Sequence, residues 1–330
     1  MRFLLDAEQR DFARSLDALL ASCDTPAVVR SWAAGDHVPG RAVWARLAEA
    51  GVFALAVAEK YEGLGPLPLE LTLAFEALGR HAVPGPLVET VAAAALLDRL
   101  GDDRIAAGKL PAIASGKSAF SLCVTSLGPY ALDADMADAV FVVDGDILRL
   151  AGGTGSVQPS ADPARRLSRP SEGTVLAQGP AVAAAARYAA DVAALATAAQ
   201  ALGAGRTLLA RTVEYVTQRS QFGVPIGSFQ AVKHRLADTL LALEFAGPLV
   251  HGAALALAAG DEGAGGDIAA AKVTAGEAAY AAARTALQLH GAVGYTDELD
   301  LSLWIRKARP LRDAWGTPAA CRARVMGVAR

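Results

Sequence analysis

The sequence predicts a mostly α-helical protein with a small β region in its middle, and three observations carry that prediction. Apolar residues recur at helical spacing along the first third of the chain. A short stretch rich in Val, Phe and Ile then interrupts the pattern, and helical spacing returns in four long segments that run to the end. The chain's 330 residues, 53% of them apolar and 20% charged, suffice for two or three packed subdomains with a sizeable core.

In chain order, Phe12, Leu16, Leu19 and Leu20, then Val43, Leu47 and Val52, then Leu69, Leu73 and Leu78 mark helices between Asp6 and about Lys109. Turns are expected at Ala34-Gly35, Val38-Pro39-Gly40, Gly63-Leu64-Gly65-Pro66 and Pro84-Gly85-Pro86. This defines a helical N-terminal domain over residues 1–117. Within 118–179 the runs AFSLCVTS and AVFVVDGDILRLA read as strands with a hairpin at Gly-Asp, a small middle β domain. Residues 180–330 carry helices over roughly 181–217, 227–260, 267–290 and 299–329, the last interrupted by Pro310. Short links between them imply an antiparallel four-helix bundle.

A net charge of −3 provides no basic stripe for nucleic acid or for an anionic membrane surface. Cys23, Cys123 and Cys321 lie far apart, lack metal-ligand spacing and are odd in number, which suits a reducing cytoplasm. The segment MRFLLDAEQRDFARSL has acids near its start and no uninterrupted apolar core, so neither a signal peptide nor a membrane span is expected there.

One loop has a composition that a turn does not require. RSQFGVPIGSFQ at 219–230 joins the first two bundle helices and sets Arg219, Gln221 and Phe222 within four residues. These supply a fixed cation, amide donors and a stacking ring, a set suited to a phosphate and a planar heterocycle. The alternative is a plain connector with a solvated arginine.

The segment RSQFGVPIGSFQAVKHRLAD resembles the acyl-CoA dehydrogenase signature in which an R-x-x-F-G run and a following F-Q pair meet FAD across a dimer interface. FLLDAEQRDFARSL is similar to the first helix of that family. VWARLAEAGVFALAVAEKYEGLGPLPLELTLAFEALGR resembles its early helices and Gly-rich turn, and ALQLHGAVGYTDE its Q-x-x-G-x-x-G-Y-T turn. The resemblance implies α,β-desaturation of an acyl-CoA substrate, with an electron-transfer flavoprotein or similar acceptor taking the electrons. It also implies that Arg219, Gln221 and Phe222 meet the pyrophosphate and ADP portion of FAD, with Ile226, Phe229 and Gln230 in the same groove. Gln288 and Gly291 would meet the adenosine and pyrophosphate side, although Ala292 replaces a usual second glycine. Val124 and Thr125 match a strand-end pair beside the flavin, but the G-x-G-S-D turn that normally follows is absent.

The catalytic base implied by the resemblance is missing. Trp315 occupies the usual glutamate position in LRDAWGTPAA, with Gly316 and Thr317 in register, and an indole carries only a donor. Thr317 suits a flavin contact or the N-cap of a final helix opened by Pro318. The alternative base position falls on Ala193 and Ala194, which leaves Asp313 and Asp191 as the nearest acids. Two expectations follow. The chain is one half of a heteromeric acyl-CoA dehydrogenase whose second, longer subunit supplies the base, as in actinobacterial enzymes acting on steroid side chains, or it is a non-catalytic relative that self-associates for assembly or binding. A homodimeric enzyme that uses Asp313 or Asp191 comes third.

Overall fold

The computed structural model describes residues 4–327. Seven helices come first: α1 (Ala7–Ala21), α2 (Thr25–Ala33), α3 (Val38–Glu49), α4 (Pro68–Arg80), α5 (Leu87–Leu100), α6 (Asp103–Ala107) and α7 (Leu110–Ala114). Asp6 opens α1 through a capping box, its carboxylate accepting from the Gln9 N–H while the Gln9 side chain accepts from the Asp6 N–H. The turn expected at Val38-Pro39-Gly40 is instead the first turn of α3, because a proline there loses no helical hydrogen bond. Gly40 is needed for space: a Cβ on it would lie 2.3 Å from the Trp32 ring. α5 buries almost its whole first three turns, Leu87 to Leu97, against the rest of the core.

The β region holds β1 (Phe120–Val124), β2 (Ala131–Leu132), β3 (Ala139–Asp144), β4 (Ile147–Ala151), β5 (Leu167–Ser168) and β6 (Gly173–Gln178). Four of them form one sheet in the order β1-β3-β4-β6. The β3–β4 hairpin turns at Gly145, whose φ of +61° suits a residue without a Cβ. β1 runs parallel to β3, which the intervening chain allows by looping out to form β2 against β5.

The rest is α8 (Pro180–Gln218), a hairpin of β7 (Ser220–Gln221) and β8 (Val224–Pro225), α9 (Gln230–Ala259), α10 (Ala264–His290), α11 (Leu301–Asp313) and α12 (Pro318–Val325). α8 is the axis of the molecule and packs on α10, α9 and α11 as well as on α4 and α5. Glycines bring α4 and α8 backbone to backbone. A Cβ on Gly79 would meet the Gln200 carbonyl oxygen at 2.0 Å, and one on Gly203 would meet that of Glu76 at 1.9 Å.

Pro310 does not interrupt its helix. α11 runs through it to Asp313, and the break falls at Trp315 and Gly316, both with positive φ. α8 and α9 are long and apolar enough, by length and composition, to cross a membrane. α8 is enclosed by the bundle, whereas α9 leaves Leu241, Phe245 and Leu249 exposed at helical spacing, Phe245 by 71%.

Candidate functional site

The 219–230 loop is a tight hairpin followed by one 3-10 turn at Ile226–Ser228. Phe222 at φ +56° and Gly223 at +80° form its two-residue turn, both left-handed, as a hairpin of this length favours. A phenylalanine in that conformation is strained by about 1–3 kcal/mol. It recovers nothing by burial, since Phe222 is 90% exposed and touches Phe229 only edge-on at 6.2 Å. Arg219 has its backbone fixed at both ends, its N–H donating to the Tyr215 carbonyl and its carbonyl accepting from Ile226, while the side chain is exposed. Gln221, Phe229 and Gln230 are also exposed, and Ile226 is half-buried.

A second candidate segment leaves the bundle at the same end. The Tyr215 ring, one turn before Arg219, stacks on His290 at 4.1 Å and its hydroxyl donates to the His290 carbonyl at 3.5 Å. Arg211, Tyr215, Gln218, His290 and Leu301 line an open cavity of about 350 Å³ there. Gln288 is exposed on the last turn of α10, and Gly291, at φ +64°, ends that helix with no atom within 4 Å of its missing Cβ. Ala292 is exposed, so its methyl crowds nothing in this chain.

The residues around Trp315 form a separate site. The Trp315 indole N–H donates to Glu89 Oε1 at 3.1 Å. Glu89 lies in the first turn of α5, is 2% exposed, and its Oε2 has no partner. Burial raises its pKa, opposed by the nearby Arg165 cation and the Trp315 hydrogen bond. Asp133, fully buried, accepts from the Trp32 indole at 3.0 Å, and burial pushes its pKa to about 8. Lys307 and Asp162 form a buried pair at 3.0 Å. A cleft of about 170 Å³ runs from an exposed rim at Leu127 and Tyr130 past Val124, Arg165 and Asp313 to Glu89 and Trp315. Beyond it, between α5, α8 and α11, the free space is only about 30 Å³.

The turn that carries Trp315 is held by a lysine. Lys272 on α10 donates to the carbonyls of Leu311, Arg312 and Gly316 at 3.0, 2.9 and 3.3 Å. These lie on both sides of Trp315, and the first two belong to the end of α11, where helix carbonyls lack intrahelical partners. The side chain thereby fixes the turn in which α11 ends.

The sequence-expected residues thus fall into two groups and some outliers. Arg219, Gln221, Phe222, Ile226, Phe229, Gln230, Gln288 and Gly291 share the bundle end, while Val124, Asp313 and Trp315 share the cleft. Asp313 is the last residue of α11, which runs unbroken through Pro310. It is half-exposed and pairs loosely with Arg309 and Arg312 at 3.8 Å. Asp191 is not brought to the cleft, because Arg324 holds it with both guanidinium nitrogens. Thr125 is exposed and donates to Asp144 at 2.7 Å. Thr317 is the N-cap of α12, accepting from the Ala320 N–H at 3.3 Å. Ala193 and Ala194 are buried in α8. Glu89 and Lys272 are functional candidates that sequence reasoning missed. The available signal for Glu89 was one acid in the otherwise apolar run LVETVAAAALL.

The bundle end fits an anionic, planar group: an exposed cation, exposed aromatic and amide side chains, and open backbone at Gly291. The space between α5, α8 and α11 does not fit a flavin ring, since about 30 Å³ holds two or three waters.

A helical N-terminal part, a small sheet and a C-terminal bundle with these two sites define an acyl-CoA dehydrogenase architecture. Residues 6–117 match the family described as "Acyl-CoA dehydrogenase, N-terminal domain", and residues 183–327 match "Acyl-CoA dehydrogenase, C-terminal domain". The chain is 34% identical over 307 residues to acyl-CoA dehydrogenase IpdE2 of Mycobacterium tuberculosis, covering 91% of each. It is 30% identical over 317 residues to IpdE2 of Mycolicibacterium smegmatis, covering 94% of this chain and 96% of that one. This chain therefore belongs to the acyl-CoA dehydrogenase family, whose members are FAD enzymes. Its fold is shared by the ChsE4-ChsE5 complex from Mycobacterium tuberculosis, with a TM-score of 0.86, 24% identity and 99% and 98% of the two chains covered. It is also shared by butyryl-CoA dehydrogenase from Megasphaera elsdenii, with a TM-score of 0.84, 23% identity and 99% of each chain covered.

Proposed function

We propose that this chain is one half of a heteromeric, FAD-dependent acyl-CoA dehydrogenase that desaturates an acyl-CoA thioester in steroid or lipid side-chain breakdown. Its part is to hold FAD from the bundle end, while a second acyl-CoA dehydrogenase-like chain supplies the base and a complete β domain. The observation that carries the proposal is Trp315: an indole, tied to Glu89 at 3.1 Å, fills the position where the family resemblance expects a proton-accepting carboxylate. The exposed apolar face of α9 supports a partner chain, and a two-chain assembly is what the ChsE4-ChsE5 complex is named for. Bound FAD supplies the hydride acceptor, and an electron-transfer flavoprotein or similar acceptor reoxidises it. Arg219 offers a permanent cation to the pyrophosphate, and Phe222 and Phe229 offer ring faces and edges to the nucleotide.

The test is to purify the chain with its candidate partner and titrate FAD against wild type and Arg219→Ala. Loss of one charge-assisted hydrogen bond of about 1.5–3 kcal/mol is expected to weaken FAD binding roughly 10- to 150-fold while the apo form melts normally. The chain alone is expected to leave an acceptor dye unreduced with acyl-CoA, since a missing base removes a factor of about 10²–10⁴. Unchanged FAD retention by Arg219→Ala would reduce the loop to a connector. Strong dye reduction by the chain alone, abolished by Asp313→Asn, would favour a self-sufficient enzyme.

A further inference from the structure

We infer that the cavity where α1, α4, α8 and α9 meet binds a small organic acid, its carboxylate held by Arg80 and Arg206 and its apolar body laid against α1 and α4. The lining of this cavity shares no residue with the bundle-end cavity or with the Trp315 cleft. The assignment therefore goes beyond the FAD-dependent reading and stands or falls without it.

Three observations converge on the cavity. It is open to solvent and measures about 380 Å³, within the roughly 300–1,000 Å³ typical of small-molecule sites. Its charges are unequally shared. Glu76 on α4 is buried, and its Oε1 accepts from two guanidiniums at once, Arg80 one turn further along the same helix at 2.8 Å and Arg206 of α8 at 2.5 Å. Arg206 meets a second acid, Glu244 of α9, only at 3.7 Å, and that acid is mostly exposed, where water screens it. On α1, Asp17 is taken up by His81, and Arg14 pairs with Asp11 outside the lining. Among the lining residues three arginines thus stand against two acids, Asp17 and Glu76. Each guanidinium carries five N–H donors, and no nitrogen of Arg80 or Arg206 is sealed from solvent without a partner, so their remaining donors are open. The rest of the lining is mainly apolar, with Leu73 and Ala77 from α4 and Ala13 and Ala18 from α1.

The chemistry of the ligand follows from the guanidiniums. A carboxylate accepts two parallel hydrogen bonds from such a fork, and partial burial strengthens them. An amine would add to the positive excess. A neutral amide of the same shape offers one acceptor oxygen and no charge, and an anion without an apolar body leaves the alanine and leucine wall uncovered. His251 of α9 also lines the cavity, and burial holds its imidazole below the ordinary pKa, opposed by Glu76 and reinforced by Arg206. The ring therefore lies within the field of both groups and reports what arrives there.

Hexanoate, hexanamide and acetate separate these contributions. The full chain is titrated with each while the His251 ring resonances are followed, assigned by their loss in His251→Gln. Hexanoate is expected to shift them and to raise the pH at which the ring titrates, because a nearby anion favours the imidazolium. It is expected to bind at least about 10-fold tighter than hexanamide, the worth of one charge-assisted hydrogen bond, and at least about 4-fold tighter than acetate, the worth of one buried methylene. Arg80→Gln keeps the Glu76–Arg206 pair and is expected to lose most of the preference for hexanoate over hexanamide. Equal binding of hexanoate and hexanamide by the wild type, equal binding of hexanoate and acetate, or binding that leaves His251 unmoved overturns the assignment whether or not the glutamine variant folds. So does an Arg80→Gln chain that melts as wild type and keeps the full preference.

Discussion

Lys272→Met is expected to loosen the turn that positions Trp315 and to destabilise the chain by about 2–4 kcal/mol. Lys272 is fully buried, and its ammonium reaches three backbone carbonyls within 3.3 Å. Three hydrogen bonds to a charged donor are worth about 1.5 kcal/mol each at the low end, or about 4.5 together. Against that, burial pulls the Lys272 pKa from 10.5 to about 8, a penalty on the charged form of about 3 kcal/mol at neutral pH. The tie itself is therefore worth only about 1–2 kcal/mol. Methionine fills similar volume but leaves carbonyls unpaired, at about 1–3 kcal/mol for each that water does not reach, which raises the expected loss to the stated range. Urea denaturation at fixed chain concentration measures it, since association would otherwise shift the midpoint. The pH dependence provides a second check. A depressed folded pKa means that the fold binds fewer protons, so wild-type stability rises relative to Lys272→Met as the pH climbs from about 8 towards 10.5. A loss below about 0.5 kcal/mol with the Trp315 indole resonance unchanged would show that water replaces the ammonium and that Lys272 does not position the turn.

Asp133, whose burial raises its pKa from 3.8 to about 8, keeps its proton in the fold, so its contribution to stability is full below about pH 4 and is lost as the pH rises through about 8. Asp133→Asn retains an acceptor for the Trp32 indole and is expected to flatten the fall in melting temperature over that window; an unchanged slope would mean that the carboxyl is ionised in the fold. On α9, Phe245→Glu places a charge in the exposed Leu241, Phe245 and Leu249 stripe and is expected to shift sedimentation towards monomer or to abolish capture of the second chain. A variant that assembles like wild type would move the interface elsewhere.

The periodic helices were legible because an amphipathic pattern is local, and the bundle-end group was legible because Arg219 to Gln230 are contiguous. What the sequence concealed depends on distant partners. Pro310 reads as a break, yet the helix continues through it to Asp313, and its end is ordered by Lys272, 38 positions earlier in the chain, which takes the carbonyls there. Val38-Pro39-Gly40 has the composition of a turn, but its proline sits in the first turn of α3 and its glycine makes room for the distant Trp32 ring. Glu89 resembles an ordinary acid in a first helical turn, which the helix dipole favours. Its meaning comes from Trp315, 226 residues away.

Backbone strain links the two sites without reference to any motif. Among the described residues only Glu62, Ala82, Asp133, Phe222 and Trp315 have positive φ without being glycine. Three of these five lie in the two candidate sites: Phe222 at the tip of the bundle-end hairpin, Trp315 in the cleft, and Asp133 beside the space that the cleft leads into. Each such residue costs of order 1–3 kcal/mol and persists only where its surroundings fix it. For Trp315 and Asp133 those surroundings are internal, namely the Glu89 acceptor and the Lys272 tie for the first and the Trp32 indole for the second. Phe222 has no comparable support, with one edge-on ring and 90% exposure. A strained aromatic residue that its own chain leaves uncovered argues that the compensating contact comes from outside the chain. That is the contact which FAD shared with a second subunit would supply in the proposed assembly.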